Sequence, residues 1–178
     1  MKWVLIALPI LMALLAAAAT IVVAGACMSR THTATRSARF ALAPDALWAI
    51  VADFQSRPGW VPGVKSVERL ADRNGHPVWK DVRDDGWGMP VEVETFEPPR
   101  KMVTRIADEK LPFGGTWTWE VTPEAGGGGG SRLRITEDGE IKVAAFRYFA
   151  ALGDMSSTMR GVLTALGKKT GQEVVVDP

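Results

Sequence analysis

The side chains best suited to proton transfer lie mainly on segments that read as β-strands. Side chains alternate between the faces of a strand, so Trp79, Asp81 and Arg83 share one face, opposite Val78 and Val82. If that face is turned inward, Asp81 and Arg83 are buried polar groups that need partners, as reactive groups in a cavity often are. The pattern does not identify the inner face, and solvated strand residues are the commoner case. The sequence therefore assigns no catalytic residue, and the acid–base candidates are Asp81, Arg83, Glu92, Glu94, Arg105 and Tyr148.

Residues that bind metals or act as nucleophiles are few. The chain has two histidines, His32 and His76, and one cysteine, Cys27, which adjoins an apolar N-terminus. This set cannot form a zinc site of the usual kind, and neither histidine has neighbours that suggest a catalytic triad. A site made of carboxylates alone stays open but has no supporting spacing. We therefore predict no metal and no cofactor.

Tryptophans are the main candidates for binding a ligand. Trp117 and Trp119 share one face of a predicted strand, and we expect them to line a cavity together with Trp79. An indole ring offers a large apolar surface and one N–H donor. Core packing beneath a helix explains the same pattern, so both readings stay open. Trp87, next to glycines in a predicted loop, either gates the cavity or covers an edge.

The C-terminal third predicts one long helix over residues 144–169. Apolar residues recur at alternating spacings of three and four, which places them on one face. That face is expected to lie against the sheet whether or not a ligand is present. Methionine adapts to irregular apolar partners, so Met155 and Met159 are also plausible contacts. The predicted ligand contacts on this helix are Phe149, Leu152, Met155, Met159 and Leu163.

The residues before these strands predict a shorter helix. Ala43-Pro44-Asp45 suits the start of a helix, because proline fits the first turn and an early aspartate favours the positive end of the dipole. Its apolar face carries Trp48, and residues 57–63 break it. Trp48 and Trp60 are predicted to be structural.

Strands and turns fill the middle of the chain. Asn74-Gly75 predicts a hairpin turn between strands 64–72 and 76–82. The glycine run from Gly126 to Gly130 could suggest a phosphate-binding loop, but no lysine with serine or threonine follows it and its flanks read as strands. A hairpin loop is the better interpretation. The other predicted strands are 33–42, 91–96, 102–107, 116–122 and 132–138.

The N-terminus predicts a membrane anchor. Residues 3–28 carry no charge, and a helix of that length extends about 39 Å, enough to cross a hydrocarbon core of about 30 Å. A cleaved signal sequence and a lipoprotein with its lipid on Cys27 are the alternatives. The apolar run is long for a signal, and Ala24-Gly25-Ala26-Cys27 is a poor lipoprotein motif.

Charge gives two further expectations. Arg30, Arg36 and Arg39 follow the apolar run before any acid, which favours a cytoplasmic domain on a single-pass protein of the cell membrane. The net charge of +1 argues against a nucleic-acid partner. One cysteine excludes an internal disulfide and leaves the redox compartment unassigned.

Several short motifs, in order, resemble the START-like or SRPBCC superfamily of helix-grip domains, and its polyketide cyclase/dehydrase-like subgroup in particular. The resemblance covers about residues 33–170. It implies an α+β helix-grip fold, in which a curved antiparallel sheet of about seven strands wraps a long C-terminal helix and encloses a hydrophobic cavity. The motifs are residues 43–48, 60–64, 97–100, 115–119 and 133–137.

Three hypotheses of function follow from this resemblance. The first is a membrane-tethered domain, residues 30–172 between an anchor at 1–29 and a tail at 173–178, that binds a hydrophobic small molecule or lipid. The second is a cyclase or dehydratase that uses the same cavity. The third is a protein-interaction domain whose cavity is packed shut. The superfamily has no common catalytic residues, so none is carried over.

Overall fold

The computed structural model describes residues 2–124 and 129–178, with side chains from Ala7 onward. These residues form four α-helices, one 3₁₀ helix and eight strands. In chain order the elements are α1 (Lys2–Ala26), β1 (Thr31–Phe40), α2 (Pro44–Ala52), the 3₁₀ helix (Phe54–Gly59), β2 (Ser66–Arg73), β3 (His76–Val82), β4 (Gly88–Glu97), β5 (Lys101–Ile106), β6 (Phe113–Pro123), β7 (Ser131–Ile141), α3 (Ala144–Ala150), α4 (Ser157–Lys169) and β8 (Val176–Asp177).

The eight strands form one antiparallel sheet. Their order is β2-β3-β4-β5-β6-β7-β1-β8, so each strand from β2 to β7 pairs with its neighbours in sequence. The first strand closes the series by pairing with β7. The predicted α+β class is confirmed. The count exceeds the expected seven because Val176–Asp177, predicted to be tail, pair with Ser37 and Ala38 of β1.

Local sequence signals account for the hairpins and for α2. Asn74 and Gly75 both have positive φ, 53° and 81°, as the tight turn between β2 and β3 requires. Proline at the start of α2 and the buried face of Leu47, Trp48 and Val51 confirm that predicted helix. The pairing of β6 with β7 continues to Pro123 and Ser131, and residues 126–128 of the glycine run lie outside the described residues.

The prediction of one C-terminal helix over 144–169 is wrong. The helix stops at Ala150 and starts again at Ser157. Asp154 accepts hydrogen bonds through Oδ1 from the backbone N–H of Ser156 at 2.9 Å and from its hydroxyl at 2.6 Å. Such local hydrogen bonds compete with the backbone hydrogen bonds of a helix, and Gly153 has a low helix propensity. The break ends the helical register that would have placed Phe149 and Leu152 on the sheet.

The core lies between the concave face of the sheet and the helices α2 and α4. Met159, Leu163 and Leu166 of α4 are fully buried, as are Leu133 and Ile135 of β7. Fully burying each such side chain contributes roughly 1.5–3 kcal/mol. Packing of α4 on the sheet is therefore a main source of the stability of the domain.

The N-terminal helix is the candidate membrane span. Among the described residues, Ala7–Ala26 is the one helical stretch long and apolar enough to cross a bilayer, and apart from Gly25 near its end none of its residues is buried in the protein. Membrane spans and signal sequences share this character. Its C-terminal turn contacts the domain at α3, where Gly25 is buried against Ala144.

Gly115 provides a test of the sheet geometry. Its φ is 137°, and a Cβ at this position would lie 2.8 Å from Cα of Gly139 and would overlap the carbonyl of Asp138. We expect Gly115→Ala to lower the free energy of unfolding of residues 30–178 by about 1–3 kcal/mol. Gly114→Ala is the control, because its Cβ would meet only the Lys142 side chain, at 3.9 Å. Equal denaturation midpoints for the two variants would contradict this account.

Candidate ligand-binding cavity

A cavity of about 540 Å³ lies between the sheet, the 3₁₀ helix and the helices α3 and α4. Its wall is mostly apolar, and strands β4 to β7 supply its floor. The space is therefore not packed shut, and the expectation of a filled cavity in the third hypothesis is wrong. The main apolar residues of the wall are Val91, Ile106, Phe113, Trp117, Trp119 and Val162.

A buried ion pair occupies one end of the cavity. Arg57 Nη1 donates a hydrogen bond to Oδ2 of Asp81 at 2.9 Å, and the two side chains are 8% and 24% exposed. Burial lowers the pKa of the Arg57 guanidinium from its ordinary value, and the charge and hydrogen bond of Asp81 act in the opposite direction. Both residues line the cavity. The pair therefore places a carboxylate and a guanidinium beside an otherwise apolar space.

Stacked side chains hold Arg57 in this position. Its guanidinium lies 3.8 Å from the ring centroid of Phe54. The Phe54 ring stacks on Trp79 with centroids 5.3 Å apart and an interplanar angle of 11°. Arg69 covers the Trp79 ring at 5.4 Å. The arginine is thus fixed by cation–π contact as well as by Asp81.

Two buried polar atoms at this end have no hydrogen-bond partner among the described residues. They are the indole nitrogen of Trp60 and Oδ1 of Asp81. An unpaired buried polar group costs free energy, roughly 1–3 kcal/mol in mutational data. At this end of the cavity the indole N–H can therefore donate a further hydrogen bond, and the carboxylate oxygen can accept one.

A second polar pair lies on the strands at the other side of the cavity. His32 Nε2 and Glu137 Oε1 are 3.3 Å apart, and both residues line the cavity. His32 is opposite Gly139 in the pairing of β1 with β7. A Cβ at Gly139 would overlap the imidazole ring. The glycine therefore leaves the space that the ring occupies.

The structure divides the predicted ligand contacts into three groups. Trp117, Trp119 and Met155 line the cavity. Met159 and Leu163 are fully buried in the core without lining it, and Trp79 packs on Phe54. The remaining predicted contacts are exposed and do not line it: Trp87 is 44% exposed, Phe149 56% and Leu152 73%.

For Phe149 and Leu152 the prediction that they face the sheet is wrong, because the helix breaks directly after them. Ligand binding by the residues that do line the cavity stays a prediction.

The acid–base candidates do not converge on one site. Asp81 lines the cavity with a side chain that is 24% exposed, so it is partly removed from solvent, whereas Arg83 is exposed, as expected, and does not line the cavity. Glu92 is buried on the opposite face of the sheet, where His76 Nδ1 lies 2.8 Å from its Oε1. The hydrogen bond to Glu94 raises the pKa of the Arg105 guanidinium. Tyr148 packs edge-on against Phe149, outside the cavity lining.

Sequence reasoning missed the residues that make the cavity polar, namely Arg57, Trp60, His32 and Glu137. Arg57 lies in a segment that reads as a helix break, and nothing local shows that it reaches β3. Trp60 is predicted to be structural, and in the structure it is buried and also lines the cavity. The pairing of His32 with Glu137 depends on the register of β1 with β7, which links residues far apart in the chain.

Residue types that bind metals do not cluster in the part of the chain that the structure describes. Over residues 2–124 and 129–178, no group of three or more histidine, cysteine, aspartate or glutamate side chains is close enough to hold a metal ion. The absence of a metal from the protein stays a prediction.

The ion pair can be tested through stability. We expect Asp81→Asn to lower the free energy of unfolding of residues 30–178 by about 2 kcal/mol, because it leaves the Arg57 charge buried without its partner. This is below the roughly 3–5 kcal/mol for a fully buried pair, since part of Asp81 is in contact with solvent. Glu68→Gln, which removes the more exposed partner of Lys80, is the control and should change stability by less than about 1 kcal/mol. Similar losses in both variants would contradict a structural role for the pair.

Solved structures share this fold at low identity. A START superfamily protein from Mycobacterium smegmatis is 19% identical with a TM-score of 0.58, over 79% of this chain and 97% of its own. The Zhui aromatase/cyclase from Streptomyces sp. R1128 is 17% identical with a TM-score of 0.60, over 79% and 94%. An uncharacterized protein from Bacillus thuringiensis is 17% identical with a TM-score of 0.61, over 79% and 100%. The chain matches no curated protein.

These structural similarities confirm the predicted helix-grip fold. At such low sequence identities they do not show that the proteins share an activity. A family model described as polyketide cyclase / dehydrase and lipid transport matches residues 31–171, most of the chain. The resemblance predicted from the short motifs is thereby confirmed, and the chain belongs to the polyketide cyclase / dehydrase and lipid transport family.

Proposed function

We propose that this protein is a membrane-tethered domain that binds a hydrophobic small molecule or lipid inside its cavity. The observation that carries the proposal is the open space of about 540 Å³, walled mainly by aromatic and aliphatic side chains. Ligand cavities in proteins typically measure about 300–1,000 Å³ and combine an apolar wall with a few polar groups. The family description, which names lipid transport beside cyclisation and dehydration, agrees with this proposal.

The polar ends of the cavity indicate which molecules it suits. A purely apolar ligand would leave the Arg57–Asp81 pair and the Trp60 indole N–H without new partners. A mainly apolar molecule with one hydrogen-bonding group would place that group at this end and its apolar part on Trp117 and Trp119. We therefore favour an amphiphilic ligand.

The tether is proposed from α1. Its stretch Ala7–Ala26 matches the thickness of a hydrocarbon core, at roughly 1.5 Å per residue. The binding domain would comprise residues 30–172, followed by residues 173–178. The cytoplasmic side favoured by Arg30, Arg36 and Arg39 stays a prediction.

Filling the cavity tests the binding proposal. Ile106 lines the cavity and is only half-buried, so Ile106→Trp has space for the larger ring. We expect this variant of residues 30–178 to fold and to bind a fluorescent fatty acid at least about tenfold more weakly than the wild type, as measured by fluorescence titration. Loss of about 1.4 kcal/mol of apolar contact is enough for that factor.

Met159→Trp is the matched control for this test. Met159 is fully buried and does not line the cavity, so the added volume should cost about 1–3 kcal/mol of stability. The probe should still bind to the fraction that remains folded. A wild type that binds no probe, or an Ile106→Trp variant that binds as well as the wild type, would overturn the proposal.

A second candidate function is catalysis in the same cavity, as a cyclase or dehydratase. The observation that favours it is the pairing of His32 with Glu137 on the cavity wall, because a carboxylate beside an imidazole orients the ring for proton transfer. The reaction would need a substrate proton within reach of the ring.

Mass spectrometry of compounds that co-purify with the protein separates the two functions. We expect the wild type and His32→Gln to hold the same compound, as a binding domain would. His76→Gln is the control, because His76 pairs with Glu92 outside the cavity lining. A compound heavier by one water in His32→Gln alone would favour a dehydratase instead.

A further inference from the structure

An apolar surface, which we name the α3 surface, follows the last strand. It comprises Val143, Phe146, Phe149 and Leu152, all of them exposed. From residue 143 to residue 153 the only charged residue is Arg147, and its side chain is buried. Exposed large apolar side chains grouped on one short segment are typical of a surface that contacts a partner or a membrane.

The α3 surface is joined to the end of α1. Arg147 Nε donates a hydrogen bond to the carbonyl of Gly25 at 2.7 Å, and Nη1 reaches the carbonyl of Ile141 at 3.1 Å. Gly25 lies in the last turn of α1, where its carbonyl also accepts a hydrogen bond of 3.3 Å from the N–H of Met28, and a cation is favourable beside this negative end of the helix dipole. Gly25 also packs against the backbone of Ala144, where a Cβ would overlap the Ala144 carbonyl. The start of α3 therefore lies beside the end of α1.

The outer surface of α1 is itself apolar and uncovered by the rest of the protein. Its exposed large side chains are Leu8, Ile10, Leu11, Met12, Leu14, Leu15, Val22 and Val23. If Ala7–Ala26 crosses the bilayer, as proposed above, Gly25 lies at the boundary between lipid and water. The α3 surface then continues the lipid-facing surface of α1 along that boundary.

The cavity reaches the surface of the protein beside α3. Of the residues that line it, those that are themselves exposed show where it opens. One of these is Pro62, and the others lie on α3, in the break after it or at the start of α4: Phe146, Gly153, Asp154, Ser157 and Thr158. The opening and the α3 surface therefore share one segment of the chain.

From this juxtaposition we infer that the α3 surface lies in the interface of the lipid bilayer and that the cavity receives its ligand directly from the membrane. The inference rests on the proposed tether and cavity and adds the route between them. Phe146 belongs both to the α3 surface and to the cavity wall. It lines the cavity and stacks on Phe113, with ring centroids 6.2 Å apart. Interfacial helices bury an apolar face to a depth of roughly 5–10 Å, which suits Phe149 and Leu152.

The position of the α3 surface can be measured in the full-length protein. In a Cys27→Ser background, single cysteines at Phe149 and Leu152 are labelled with an environment-sensitive fluorophore. The protein is reconstituted into vesicles of phosphatidylethanolamine and phosphatidylglycerol that contain a lipid with a nitroxide on its acyl chain. We expect blue-shifted emission and strong quenching at both positions. A label at Val175, which is 79% exposed and lies outside α3, should show neither effect.

The inference would be overturned if labels at positions 149 and 152 showed the same emission as a label at position 175. It would also be overturned if these positions were not quenched but formed cross-links between two chains. The tether is checked separately by alkaline carbonate washing. Release of the full-length chain would reject the tether itself, whereas retention with unquenched labels would reject only the interfacial position of α3.

The route is tested by the rate at which a fluorescent fatty acid moves from vesicles to the reconstituted protein. We expect Phe149→Glu with Leu152→Glu to slow this transfer about fivefold, the scale set by two acids placed in the interface. Equilibrium binding should not change, because neither side chain lines the cavity. Val175→Glu is the control. An unchanged rate in the double variant would overturn the route, while absence of binding in the wild type would reject the cavity proposal itself.

Discussion

The C-terminal region is attached at two places, to the sheet and to α1, and a break in the helix lies between them. Its second part, α4, is fixed on the sheet by Met159, Leu163 and Leu166, which are fully buried. Its first part, α3, is fixed to α1 through Arg147 and the carbonyl of Gly25. The break between them frees α3 from the helical register of α4, and residues 153–155 in the break line the cavity. The opening of the cavity lies at this discontinuity.

The architecture also separates apolar and polar roles within the cavity. The floor comes from the central strands, where two tryptophans lie with ring centroids 5.5 Å apart, Trp117 and Trp119. The polar groups come from the periphery, with Arg57 and Asp81 at one side and His32 and Glu137 at the other. This arrangement suits the amphiphilic ligand proposed above. The family description names lipid transport beside cyclisation and dehydration, and one fold can serve different functions through different site residues.

Local signals in the sequence sufficed for much of the fold. The Asn74-Gly75 turn, the proline that begins α2 and the alternation of side chains on the strands each act over a few residues, so their patterns can be read directly. The helix break was harder to predict from the sequence, because the apolar spacing of residues 149–166 continues across it. Only the side chain of Asp154 indicates where the helix stops. The apolar part of the site was partly predicted, through Trp117, Trp119 and Met155. Its polar part was not, because the partners of Arg57 and His32 come from distant strands and their pairing depends on register.

The short strand β8 covers part of one edge of the sheet. The free edge of a sheet offers unpaired backbone groups that a second chain can join, and proteins suppress this by covering or charging the edge. Val176–Asp177 cover part of β1, and Arg132 holds Asp177 there through a contact of 3.1 Å. The opposite edge, β2, has four charged residues among its eight. Loss of the last few residues would uncover the backbone of Ser37 and Ala38 and leave the β1 edge as the place where neighbouring chains could begin to aggregate.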